Sequence, residues 1–105
     1  MEIREIIDRL NKIKIDMINR KNTIISILEK NKGLLSKEEI EDYNKETIYI
    51  KESTTLIDKI IAKLKVVPIN EEGSPKADNL NPIVEEIKKY FPDVLIKWNK
   101  NAFKR

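Results

Sequence analysis

The first 66 residues place apolar side chains at helical spacing in two successive runs. In each run, steps of three and four residues connect a stripe of apolar positions that is interrupted by a few polar ones. The first stripe consists of Ile3, Ile6, Leu10, Ile13, Met17, Arg20, Ile24 and Ile27, and the second of Ile40, Tyr43, Thr47, Ile50, Thr54, Ile57, Ile61 and Leu64. Such steps keep a stripe on one side of a helix, so each run predicts a long helix that packs on a partner helix.

The segment between the two runs combines a helix-ending signal with a helix-starting signal. Gly33 can adopt the left-handed backbone conformation that closes a helix, and Ser36 with Glu39 has the spacing of a capping box. A connection this short places two helices antiparallel. The sequence therefore predicts a long, coiled-coil-like antiparallel helical hairpin over residues 1–66.

The remaining residues predict a loop and a short helix. Residues 67–81 are rich in proline, glycine and asparagine and are expected to form a linker. Asn81 is expected to cap a helix that starts at the following proline and ends before Pro92. The pattern of residues 94–98 fits either a strand or a further helical turn, and we favour an extended segment. The predicted fold class is mainly α, with residues 82–105 forming a short helix, a possible strand and a basic tail.

A second row of apolar residues makes the hairpin wider than its own seam requires. The row consists of Ile7, Ile18, Ile25, Leu28, Ile48, Leu56 and Ile60. Two helices cannot cover both rows, and exposed isoleucines favour association. The covering element could be residues 82–98 folding back, a second copy of the chain, or a helix of another protein. We expect a homo-oligomer that forms a helical bundle through this row, since symmetric self-association is the commonest arrangement.

Polar residues interrupt both seams at matching heights. Counted from the predicted turn, Arg20 lies beside Thr47, and Thr54 lies two turns further along. One interpretation is a buried polar layer that fixes the register and the oligomeric state. The alternative is that the Arg20 guanidinium extends past the seam to Glu46.

The composition excludes several kinds of chemistry. The 105-residue chain has no cysteine and no histidine, which removes disulfides, thiolate and imidazole catalysis, and the usual zinc and haem ligands. Its two glycines, Gly33 and Gly73, are too far apart for a phosphate-binding loop. The carboxylates within residues 38–42 are favoured by the dipole of the helix that starts there, without a metal ion. We therefore predict a protein that is not an enzyme and holds no cofactor or metal.

The distribution of hydropathy and charge bears on where the protein acts. No run of about 18 apolar residues is present, so no membrane span and no membrane partner are expected. The first residues are acidic from Glu2 onward and lack the layout of a signal peptide. We expect a cytoplasmic location.

The C-terminal stretch is strongly basic. The net charge of the chain is +3, and residues 94–105 carry four cations and no acidic residue. Cations interleaved with aromatic rings can neutralise phosphates and stack on bases. The candidate contacts with nucleic acid or another partner are Lys97, Trp98, Lys100, Phe103, Lys104 and Arg105. Against this, Trp98 alternates with Val94 and Ile96 as packed residues of a strand do, and terminal lysines also serve solubility.

These observations together favour a protein that acts by binding. We predict a helical interaction module that forms a homo-oligomer and binds another macromolecule, which we expect to be a protein, as an adaptor or stoichiometric inhibitor. A small accessory protein of a phage or plasmid would have these properties. The alternative is a small nucleic-acid-binding regulator that uses the basic aromatic tail.

Overall fold

The computed structural model describes residues 2–95 and contains three helices in this range. They are α1 (Ile3–Lys30), α2 (Lys37–Lys65) and α3 (Ala77–Tyr90). One further helical turn follows at residues 92–95. α1 packs along α2 and α3 packs on α2, in an elongated arrangement of 62 by 30 by 18 Å. The prediction of a mainly α fold with a long helical hairpin is confirmed.

A glycine in the left-handed conformation and a capping box define the turn of the hairpin, as the sequence predicts. After α1, Gly33 adopts a φ of +87°, in the left-handed region that favours glycine. At the start of α2, the Ser36 hydroxyl accepts a hydrogen bond of 3.1 Å from the Glu39 backbone N–H. The Glu39 carboxylate in turn accepts one of 3.2 Å from the Ser36 backbone N–H. The predicted capping box is therefore present, and it satisfies two N–H groups that the helix start would leave unpaired.

The capping box gives a prediction about stability. Replacing Ser36 with alanine should lower the free energy of unfolding by about 1 kcal/mol, because the N-cap acceptor is lost. Ser36→Asn retains an acceptor of similar capping strength and serves as the control. Urea unfolding followed by far-UV circular dichroism measures both variants. Equal losses in the two variants would show that the cap contributes nothing.

α3 begins earlier than the sequence predicts. The prediction that Asn81 caps the helix is wrong: the N-cap is Lys76, and Pro82 lies inside the helix. Pro82 has no N–H, so one intrahelical hydrogen bond is lost, but the remaining turns hold. The half-buried side chain of Leu80 packs on the core. This apolar contact accounts for the extension of the helix to the N-terminal side of the proline.

The loop before α3 is closed by its own hydrogen bonds. The Asn70 side chain accepts hydrogen bonds of 3.0 Å from the backbone N–H groups of Glu72 and Ser74. The Lys76 N–H donates to the Pro68 carbonyl at 2.9 Å, which draws the two ends of the loop together. The N-terminus of α3 is thereby fixed beside the C-terminus of α2.

The residues after α3 form a helical turn where the sequence analysis favours an extended segment. Phe91, Val94 and Leu95 are all buried in the core, at helical steps of three and four. An extended chain would have placed Val94 and Leu95 on opposite sides. The extended prediction is therefore wrong for these two residues, and the rest of 94–98, including Trp98, lies outside the described residues.

The core occupies the half of the hairpin that contains its free ends, which we call the terminal half. It consists of Ile6, Leu10, Ile57, Ile60, Ile61, Leu64, Ile83, Ile87, Phe91, Val94 and Leu95. Towards the turn few side chains are buried: between residues 11 and 52 they are those of Ile24 and Ile50. Residues 82–95 thus fold back as one of the three predicted covering elements, but they cover the terminal half alone.

Candidate interaction surfaces

Part of the predicted interface row already packs in the core of the same chain. Ile60 is completely buried in the core, and Leu56 and Ile7 pack against the core as partly buried side chains. The prediction that Ile60 contributes to an oligomer interface is corrected, because α3 and the turn after it already cover that side of α2. The sequence showed that this row needs a cover but could not show that α3 supplies it.

The row on α1 stays exposed in the half of the hairpin next to its turn, which we call the turn half. Ile18 and Ile25 are seven residues apart, which places them on the same side of the helix, two turns from each other. Their exposed fractions are 39% and 40%. Ile7 and Leu28 continue the row at either end and are half-buried. We call these four residues the α1 row.

Ile48 does not belong to the same surface. It is 57% exposed and lies two residues before the buried Ile50. Two residues correspond to about 200° around a helix, so Ile48 lies on the side of α2 that faces away from the seam. It is a single exposed isoleucine, which is common on protein surfaces.

Arg20 spans the hairpin at its surface. Its Nε donates to Glu46 Oε2 at 2.6 Å and its Nη2 to Oε1 at 3.2 Å, a two-pronged contact between α1 and α2. The hydrogen bond from Arg20 and its positive charge lower the pKa of Glu46. The same hydrogen bond and the charge of Glu46 raise the pKa of Arg20. The interpretation in which the guanidinium extends past the seam to Glu46 is the one that the structure shows.

The two seam threonines bond within their own helix. The Thr47 hydroxyl donates to the Tyr43 carbonyl at 2.9 Å, and the Thr54 hydroxyl donates to the Lys51 carbonyl at 3.1 Å. The predicted polar layer of Arg20, Thr47 and Thr54 is therefore not formed within one hairpin. An influence of Arg20 on the oligomeric state stays a prediction.

A groove between α1 and α2 lies on the side where α3 packs, but nearer the turn. It has a volume of about 320 Å³ and is lined by Ile13, Asp16, Met17, Arg20, Glu46, Tyr49 and Ile50. We call it the central groove. Sequence analysis did not identify it, although Glu46, Tyr49, Ser53, Leu56 and Ile60 follow one another in steps of three and four. This spacing continues the side of α2 that α3 covers.

Within residues 2–95, no group of three or more acidic side chains is arranged to hold a metal ion. A cavity of about 600 Å³ lies between the start of α1 and the loop before α3, and apolar side chains contribute much of its lining. None of the helices in the described range combines the length and the apolar character that crossing a bilayer requires.

Over residues 2–95 the geometry defines a class of architecture, in which a short third helix covers half of a long helical hairpin. Comparisons with protein-family models, curated proteins and solved structures find no match for this chain. The candidate nucleic-acid contacts, which are Lys97, Trp98, Lys100, Phe103, Lys104 and Arg105, lie outside the described residues.

Proposed function

We propose that this protein is a non-enzymatic helical interaction module of the cytoplasm, which self-associates and binds another macromolecule as an adaptor or stoichiometric inhibitor. The observation that carries the proposal is the uneven core. In the terminal half three helices surround a continuous cluster, whereas between residues 11 and 52 only Ile24 and Ile50 are buried. The turn half is a two-helix layer with apolar side chains left at its surface.

The α1 row is the surface that a second copy would cover. Each isoleucine fully buried in an interface contributes about 1.5–3 kcal/mol. Ile18 and Ile25 have more than a third of their surface available for this. Two hairpins that pair through the same row form a symmetric contact, in which the four helices of the turn halves become a bundle.

The absence of histidine and cysteine from the whole chain supports a binding role over a catalytic one. The carboxylates that the structure places in ion pairs contact lysine or arginine at the surface, as Asp58 does with Lys14 at 2.6 Å and Glu46 with Arg20. Such pairs are ordinary surface contacts between elements.

Light scattering of the intact chain over a range of concentrations tests self-association. We expect a dimer or larger, and the double variant Ile18→Lys/Ile25→Lys should weaken association on the order of 100-fold. The exposed part of each side chain, 39% and 40%, can contribute about 0.6–1.2 kcal/mol, and a symmetric dimer loses four such side chains. The matched control is Ile48→Lys/Tyr90→Lys, which adds the same charge at two exposed apolar side chains on α2 and α3, outside the α1 row. A wild-type chain that stays monomeric at every concentration contradicts the proposal, as does equal weakening in both double variants.

A further inference from the structure

The central groove begins where the described part of the chain ends. Arg9 Nη1 donates a hydrogen bond of 2.9 Å to the Val94 carbonyl, which fixes the turn after α3 against α1. A cavity of about 230 Å³ at this point is lined by Arg9, Lys12, Ile13, Asp16, Asp93 and Val94. Ile13 and Asp16 also line the central groove, so the two spaces adjoin along α1. The chain that follows Leu95 therefore starts at the mouth of the groove.

The direction of α3 leads from the free ends of the hairpin towards its turn. Glu86 pairs with Lys63, near the C-terminus of α2, at 3.3 Å. With the antiparallel register set by Arg20 and Glu46, Lys63 lies level with about Ile3, the first residue of α1. Val94 contacts Arg9, about one and a half turns nearer the hairpin turn. A chain that continues in this direction runs along the central groove.

The groove offers apolar side chains next to acidic ones. Met17 is half-buried and Tyr49 is 58% exposed, and both lie beside the buried Ile50. The adjoining part of α2 is acidic, since residues 38–52 carry six acidic and two basic side chains. Within the groove itself Arg20 pairs with Glu46, so Asp16 and the acidic part of α2 are the anionic groups left for an occupant. An occupant that matches this surface is mainly apolar and can place cations beside these carboxylates.

We propose that the chain's own residues 96–105 bind along the central groove of the same molecule. This segment has four cations, no acidic residue, and the apolar side chains of Ile96, Trp98 and Phe103. From Ile13 to Arg20 the groove is about 10 Å long, and ten residues span about 15 Å as a helix or about 33 Å when extended. Covalent attachment at the mouth gives the segment an effective concentration in the millimolar range, well above that of a free peptide.

Tryptophan fluorescence tests the proposal, because Trp98 is the sole tryptophan of the chain and reports on this segment alone. In the intact protein we expect emission at shorter wavelength than in the isolated peptide 96–105, and weaker quenching by acrylamide. Tyr49→Lys, which places a cation in the groove, should shift emission and quenching towards those of the peptide.

The matched control for this variant is the neighbouring residue. Ile48→Lys adds the same charge to the same helix at a side chain of similar exposure, 57% against 58%, but on the side away from the groove. It should leave the emission unchanged. Since both side chains are more than half exposed, both variants should retain the helicity of the wild type in far-UV circular dichroism. Equal spectral changes in the two variants would overturn the proposal.

Engineered thiols distinguish docking within one molecule from exchange between copies. Because the chain has no cysteine, Tyr49→Cys combined with Asn99→Cys introduces its only two thiols. Mild oxidation should give a cross-linked monomer on a non-reducing gel, and Ile48→Cys with Asn99→Cys should give far less of it. Cross-linked dimers that form instead of monomers would show that the segment occupies the groove of a second copy, and would overturn the proposal.

Other outcomes are equally decisive. Emission identical to that of the peptide, which shifts only when DNA or RNA is added, would contradict docking and favour the nucleic-acid alternative. Docking of residues 96–105 in the central groove can also be tested separately from self-association through the α1 row. Ile18→Lys/Ile25→Lys should dissociate the oligomer and leave the Trp98 emission unchanged, because Ile18 and Ile25 do not line the groove.

Discussion

Phe91→Ala is expected to lower the free energy of unfolding by about 3–5 kcal/mol, the range for an aromatic side chain removed from a packed core. Phe91 is 6% exposed and lies in the cluster at the point where α3 ends and the last helical turn begins. Its removal leaves a cavity next to Val94 and Leu95, so the contact between this turn and α1 should weaken as well. Urea or thermal unfolding measures the loss.

The neighbouring Tyr90 supplies the control for this substitution. It is 47% exposed, and its ring lies 5.2 Å from the Lys89 ammonium in a surface cation–π contact. Tyr90→Ala removes an aromatic side chain of similar size at the same helix end, and it should cost no more than about 1 kcal/mol. Comparable losses for Phe91→Ala and Tyr90→Ala would mean that the end of α3 does not pack on the core as described.

Ile57→Ala should produce the second large effect, a loss of about 2–5 kcal/mol. Ile57 is completely buried in the cluster shared by α1, α2 and α3. Truncating it removes apolar contacts and leaves a cavity that the three helices can only partly close. The expected consequence is a lower midpoint of urea unfolding with a similar slope, since the surface exposed on unfolding changes little.

Ile48→Ala isolates the contribution of burial. It makes the same chemical change in the interior of the same helix, and alanine gains the same helix propensity at both positions. Because Ile48 is 57% exposed, its truncation should leave the stability within about 0.5 kcal/mol of the wild type. A loss at Ile48 that equals the loss at Ile57 would contradict the position of the core.

The hairpin could be predicted from sequence because all of its determinants are local. Ser36, Glu39 and Gly33 define its turn within a few residues, and the steps of three and four define its seam. Of the predicted seam residues, Ile6, Leu10 and Ile57 are buried as expected. Such patterns depend on helix geometry alone, which does not change with the tertiary context.

The start of α3 and the turn after it depend on contacts between distant parts of the chain. Asn81 and Pro82 are good local signals for a helix start, yet the packing of Leu80 on the core outweighs them. Val94 alternates with Ile96 and Trp98 as residues of a strand do, but the burial of Val94 and Leu95 beside Phe91 favours a helix. Local propensities are weak enough for tertiary packing to override them.

The interaction surfaces could be predicted only in part, because helical spacing is local whereas burial by α3 is not. The α1 row follows from spacing, and Ile18 and Ile25 are exposed on one side of α1. The spacing of α2 marks an apolar side, but it does not show whether α3 or another chain covers that side, because this depends on the path of the loop at residues 67–76. The sequence therefore predicts an interface position for Ile60, which is buried, and does not single out Tyr49 in the central groove.

The uneven core also implies two different opening energies within one molecule. Amide hydrogens exchange with solvent when local structure opens, and the cost of opening follows the number of buried contacts that must be broken. In the turn half this cost is set by the layer around Ile24 and Ile50, whereas in the terminal half it includes the whole cluster. We therefore expect the hairpin to open from its turn at lower cost than from its other end, so that a binding partner reshapes the turn half while the cluster of the terminal half stays packed.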